Sequence, residues 1–148
     1  MTAARDAMKI LIEPMTMDHY DEVIALWKKS ENVGLSSADE REKIKAYLDR
    51  NPGMSFVANE NGVIVGAALC GHDGRRGYLH HLAVADSHQK KGVGRELAEK
   101  CIESLRSAGI EKCHLFVFHR NKDGKAFWEK IGWTPRNDIQ VVSKELKE

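Results

Sequence analysis

Residues 78–94 read Tyr78-Leu79-His80-His81-Leu82-Ala83-Val84-Ala85-Asp86-Ser87-His88-Gln89-Lys90-Lys91-Gly92-Val93-Gly94, and this stretch decides the fold. Tyr78 to Val84 has the composition of a strand. From Val93 to Ala108 the chain turns helical: Val93, Leu97, Ala98, Cys101, Ile102 and Leu105 form one apolar stripe. Gly109 then supplies a left-handed end. Between strand and helix, two glycines flank the first helical residue. Such a start lets an anion approach the free N–H groups of the first turn, where the helix dipole favours negative charge. Lys90, Lys91 and Arg95 add positive charge there, so the segment reads as a cradle for a pyrophosphate. A Gly-x-Gly alone is weak evidence, because many glycines serve only a tight turn.

Upstream, Val63 to Cys70 is apolar throughout, which predicts a central strand covered on both faces. Asn61-Gly62 before it is a hairpin signal joining it to a strand over Met54 to Ala58. Lys9 to Glu13 predicts a first strand that stops at Pro14. Thr16 caps a helix from about Met17 to Lys29, and Ser37 with Glu40 has capping-box spacing for a second helix ending at Asn51-Pro52-Gly53. Downstream, Lys112 to Phe118 reads as a fifth strand, Asp123 to Ile131 as a short helix and Asn137 to Lys144 as a last strand. The order is β-α-α-β-β-β-α-β-α-β. The strand–helix–strand unit from Tyr78 to Phe118 requires a parallel crossover, whereas the preceding strands can form an antiparallel meander. The fold class is α/β (α+β): a mixed, mostly antiparallel sheet with helices on both faces. One domain is expected over residues 1–148, with its core in about 9–145.

Hydrophobic residues make up 42% and charged residues 30%, a globular balance. A net charge of +1 argues against a nucleic-acid partner held by bulk electrostatics. Met1 to Met8 lack the apolar run of a secretory leader, and Val63 to Cys70 is too short to span a bilayer, so no membrane partner is expected. Cys70, Cys101 and Cys113 are odd in number and contain no Cys-x-x-Cys, which suits a reduced, cytoplasmic protein. The adjacent His80 and His81 diverge on a strand, and no Cys/His cluster has zinc spacing, so no metal is expected.

Gln89-Lys90-Lys91-Gly92-Val93-Gly94 resembles motif A of the GNAT N-acetyltransferase superfamily, Gln/Arg-x-x-Gly-x-Gly/Ala. Leu79 to Val84 looks like that family's fourth strand. Asn121 followed by Phe127-Trp128-Glu129-Lys130-Ile131-Gly132-Trp133 is similar to its second cofactor segment, and Ile12 to Thr16 with the helix after it to its opening. The loop Gly71-His72-Asp73-Gly74-Arg75-Arg76-Gly77 is similar to one in a bacterial group of YpeA-like acetyltransferases. The resemblance spans nearly the whole chain. It implies transfer of an acetyl group from acetyl-CoA to a primary amine on a small molecule or peptide, with coenzyme A as product; dimerisation is common in the family.

The resemblance also implies roles. Backbone groups of Leu82, Ala83 and Val84 would pair with the pantetheine arm as though it were an added strand. Gln89, Lys90, Lys91, Gly92, Val93, Gly94 and Arg95 would hold the pyrophosphate. Asn121 would bond the pantetheine or order the thiol end of the cofactor, with Phe127 in the same segment. The chemistry then needs a base. An amine of pKa ~10.4 costs roughly 4–5 kcal/mol to deprotonate at neutral pH, whereas release of a thiolate of pKa ~8.5 is only about 2 kcal/mol from matched. His80 is the preferred base, with Tyr78 beside it, because histidine titrates near working pH. Family members often carry a glutamate near these positions, and this chain has none. Strict alternation puts Tyr78, His80, Leu82 and Val84 on one face and Leu79, His81 and Ala83 on the other; a bulge would exchange the two histidines. Water relay to Glu13 or Glu31 is the alternative, and a structural role for both histidines is the plainer reading. A backbone N–H near Leu82 would serve the oxyanion. Trp128 stands where the family commonly has tyrosine. Its indole donates a hydrogen bond but supplies no proton, so the thiolate leaves without an acid or by another group.

Arg75 and Arg76 read as a solvated turn, or as recognition of a substrate carboxylate. Trp27 and Tyr47 read as core. A Rossmann enzyme fits poorly, because Leu97 occupies the third glycine position. The second functional reading is an acyl-CoA-binding module of this fold without turnover.

Overall fold

The computed structural model describes residues 9–147; Glu148 and Met1 to Met8, where no secretory leader is expected, lie outside the described residues. The described chain divides after Phe116 into two compact units.

The first unit is built on a sheet of five strands in the order β1-β2-β3-β4-β5. These are β1 Leu11–Pro14, β2 Phe56–Glu60, β3 Val63–His72, β4 Gly77–Val84 and β5 Cys113–Leu115. The first four pair antiparallel, and β4 pairs parallel with β5. The β2–β3 turn is the expected one: Asn61 and Gly62 both take positive φ, 51° and 91°.

Helices α1 (Tyr20–Lys29) and α2 (Arg41–Arg50) cover one face, and α3 (Val93–Ser107) the other. Trp27 of α1 is fully buried and donates its indole N–H to the Ala67 carbonyl at 3.5 Å. Val23, Ile44, Leu69 and Ala83 complete that layer. On the opposite face, Val93, Leu97, Ala98, Cys101 and Leu105 are buried, which is the expected stripe of α3 except for half-buried Ile102. Gly66 of β3 lies directly beneath it: a Cβ there would stand 3.0 Å from the Leu97 Cδ1. Gly109 ends α3 at φ 83°, and Ile110 N–H bonds the Leu105 carbonyl at 3.0 Å.

Two helix starts differ from expectation by local chemistry. Met17–His19 forms a 3-10 turn before α1, with the Thr16 N–H bonded to the His19 Nδ1 at 3.0 Å. The second cap is Ser36 with Asp39, one residue earlier than the expected Ser37 and Glu40. Ser36 Oγ accepts from the Ala38 N–H and Asp39 Oδ2 from the Ser36 N–H, closing a 3-10 turn before α2.

The second unit carries α4 (Lys122–Lys130), capped by Asn121, whose Oδ1 accepts from the Gly124 N–H at 2.8 Å. The expected strand over Asn137 to Lys144 is not formed. Ile139, Val141 and Val142 are exposed, and no described strand pairs with this segment. Alternating apolar residues supply a strand's faces but not the partner that satisfies its backbone. Among the described residues no helix is long and apolar enough to cross a membrane.

Candidate functional site

The site is framed by an interruption in β4. Leu69 of β3 opposes His81, whereas the next residue, Cys70, opposes Leu79. His80 is therefore the extra residue of a β-bulge, unmatched in the ladder. The strict alternation expected for β4 fails here. Tyr78, opposite Gly71, lies on the α1/α2 side, and past the bulge so do His81 and Ala83. Leu79, Leu82 and Val84 lie on the α3 side. His80 and Leu82, expected on one face, are parted. The bulge arises because Leu79 and Ala83 are each buried in a different layer, and an unbroken strand cannot put both where they pack.

The two histidines have different surroundings. His80 stacks on Tyr78 with ring centres 6.0 Å apart and meets the edge of Tyr47 at 5.5 Å. Its outer surface is exposed. Loss of water against these rings lowers its pKa, the neighbouring His81 lowers it further, and Asp39 opposes both. His81 is mostly covered. Its Nε2 lies 2.9 Å from Asp39 Oδ1, and its ring stands edge-on to Trp27 at 4.9 Å. Burial raises the Asp39 carboxyl, but the bonds from His81 and the Ser36 N–H outweigh it and leave the pKa lowered. Asp39 did not figure in the sequence reading; the Ser-x-x-Asp spacing of Ser36 and Asp39 was the available signal. Glu13, the water-relay alternative, stands on β1 bonded to Asn59, with two strands between it and β4.

β4 also has a free edge. Its pairing with β5 covers only Gly77, Tyr78 and Leu79. From His80 to Val84 the β5 side of β4 carries no strand partner among the described residues. This edge runs toward the start of α3. There Lys90 and Gly92 both adopt left-handed backbone, φ 64° and 86°. No side chain caps the helix, and the N–H groups of Val93, Gly94 and Arg95 meet no acceptor among the described residues. Successive turns of this kind make an anion-accepting concavity. Lys90 and Lys91 are exposed beside it, and Arg95 pairs with Glu99 at 3.0 Å. The Gln89 amide braces the loop, donating to the Val84 carbonyl at 3.1 Å and to Asp86 at 3.2 Å. One of Val84's acceptor positions is thus already taken.

The remaining sites divide similarly. In the second unit, Trp128 stands edge-on to Phe127 at 4.9 Å and to Trp133 at 5.1 Å. Asn121 spends its side-chain oxygen on capping α4, leaving its amide N–H groups. In the loop before β4, Asp73 Oδ1 accepts from the N–H groups of Arg75 and Arg76, a closed turn in which Arg75 is exposed and Arg76 is half-buried, its Nη1 donating to the Arg75 carbonyl at 3.3 Å.

Residues 20–133 match the acetyltransferase (GNAT) family. The chain belongs to this family. A GNAT acetyltransferase is an acyltransferase, the enzyme class expected from the sequence. An acetyltransferase of Pectobacterium atrosepticum is 30% identical over 131 residues, 88% of this chain and 92% of its own. One of Sodalis glossinidius is 27% identical over the same shares. Both relatives are bacterial. Among solved structures, the PaiA N-acetyltransferase of Thermoplasma acidophilum in complex with coenzyme A superposes with a TM-score of 0.76 at 18% identity, covering 89% of this chain and 94% of that one. The aminoglycoside N-acetyltransferase AAC(6')-Iy, bound to a bisubstrate analogue, does so with 0.74 at 17% identity, covering 93% and 99%. At these identities the likeness is one of fold.

Proposed function

We propose that this GNAT acetyltransferase binds acetyl-CoA along the free edge of β4 and transfers the acetyl group to a primary amine by direct attack on the thioester. The observation that carries this is the continuity of that edge, His80 to Val84, with the uncapped start of α3. An extended amide-bearing arm can pair with peptide groups of Leu82, Ala83 and Val84. Its pyrophosphate then meets the loop and first turn from Gln89 to Arg95, where free N–H groups and the dipole favour anions. Coenzyme A bound to one solved neighbour, and a coenzyme A conjugate of an amine to another, support this substrate pair.

The bulge sits beside this edge, where the thioester end of the arm would lie. In the reaction the amine nitrogen forms a bond to the thioester carbon while the carbonyl oxygen takes negative charge. The bulge frees backbone N–H that can meet that charge. Before that attack His80, neutral and open to solvent, takes a proton from the substrate ammonium, so that the nitrogen attacks with a free lone pair; the second nitrogen-bound proton is lost to solvent as the amide forms. The C–S bond then breaks, and coenzyme A leaves as thiolate without an obligatory acid. For Asn121, Phe127 and Trp128 it is the likeness to the family's second cofactor segment that supports a part in ordering the thiol end of the substrate. We take the chain to act as one cytoplasmic domain.

The test is release of coenzyme A thiol from acetyl-CoA with a panel of amines. Turnover that depends on the amine is expected, faster at alkaline pH where more amine is free. Tight acetyl-CoA binding with no release for any amine would instead make the chain a non-catalytic binding module.

A further inference from the structure

The adjacent histidines create an ambiguity that the fold has to resolve. Without a bulge, β4 would carry Leu79, His81 and Ala83 on the α3 side and present His80 to the α1/α2 layer. With it, His81 occupies that place and His80 lies in the open against Tyr78 and Tyr47. Either histidine could bond a carboxylate projecting from that layer. Which one does so decides which is free to meet a substrate.

The carboxylate is Asp39, in the turn before α2. It is 6% exposed and held at several points. Its Oδ1 meets His81 Nε2 at 2.9 Å, its Oδ2 accepts from the Ser36 N–H at 3.0 Å, and its carbonyl accepts from the Tyr20 hydroxyl at 2.7 Å. Trp27 closes the other side of the His81 ring. A fixed acceptor gripping one side chain pins the strand at that residue. The extra residue must then fall at His80.

From this geometry we infer that Asp39 is a positioning residue for the acetyl transfer. By holding His81 it fixes the bulge in register, and so aims His80 at the attacking amine. This rests on the proposed role of His80. Asp39 touches neither the amine nor acetyl-CoA. Reactions of this kind lose about 10²-fold from a misplacement of about 1 Å, so a slackened bulge shows in kcat.

The experiment is a double-mutant cycle on kcat with a saturating amine, and acetyl-CoA affinity measured by calorimetry. Asp39→Ala is expected to lower kcat about 10²-fold, with acetyl-CoA affinity within threefold of the parent. Asp39→Asn offers one acceptor oxygen for two donors and is expected to lose less. In a His80→Gln background, either substitution at Asp39 is expected to cost less than twofold more, since nothing remains to aim. If Asp39→Ala does not fold, Asp39→Asn decides by the same criterion. A structural role alone lowers the melting temperature while leaving kcat of the folded enzyme near the parent's, or gives losses that multiply independently with His80→Gln; either result overturns the inference while the role of His80 stands. If His80→Gln alone leaves kcat intact, that role fails and the inference falls with it.

Discussion

His80 gives up water to Tyr47 and Tyr78 and holds its proton more weakly than an ordinary histidine. A base must be neutral, so the depressed pKa keeps His80 competent to more acid pH. The acid limb of kcat/KM assigned to it therefore lies below about pH 6.5. His80→Gln is expected to lower kcat/KM by roughly 10²-fold, less at high pH, where free amine is already abundant. A pH–rate profile of both proteins checks this; a loss under threefold, or an acid limb unchanged by the substitution, would remove His80 from the chemistry. Asp39 works in the opposite sense on stability. Its depressed pKa contributes stability above the unfolded-state value of about 3.9, which is lost as pH falls through the folded-state value. His80 can be singled out as a candidate base from residue type and strand position alone. The pair of Asp39 and His81 was not legible in the sequence, since 42 residues separate them and only the packing of α1 and α2 on the sheet brings them together.

The elements were legible where backbone chemistry alone dictates them. Asn61-Gly62 gave the hairpin, Gly109 the end of α3, and Gly92-Val93-Gly94 its uncapped start. The bulge in β4 was open to either outcome. Alternation describes an ideal strand, whereas burying Leu79 and Ala83 in opposite layers demands an extra residue somewhere between them. The last strand was overread for a related reason: Ile139 and Val141 alternate, but a strand also needs a neighbour. In α4, Trp128 lies edge-on between Phe127 and Trp133, which suits a residue whose ring, not its N–H, is used. Trp128→Phe is expected to keep most turnover, because a phenyl ring retains edge contacts with both neighbours. Trp128→Ala is expected to lose it by at least tenfold through poor placement of the thioester. Steady-state rates of the two variants check this; equal damage from both would mean that the indole N–H is required and the thiolate does not leave unaided.

At the scale of the whole molecule, the fold serves one geometric end. A parallel crossover brings the start of α3 to the end of β4, and β5 leaves β4 after three residues. The resulting edge and helix start form one continuous track of free backbone groups. Family membership was readable from the spacing of glycines along this track, since they leave their mark in the sequence as residue types. The acceptor is not readable in the same way, since no motif of fixed spacing in the sequence marks it. The direct test of the central claim is calorimetric titration of acetyl-CoA into the parent protein and Gly94→Glu. Glutamate at this position puts a side chain and a negative charge where the pyrophosphate is to sit, at a helical residue, and the variant is expected to keep the parent's circular dichroism spectrum. Binding by the parent and none by Gly94→Glu is the expected result. Equal affinity of the two proteins would contradict it and remove the start of α3 from the site.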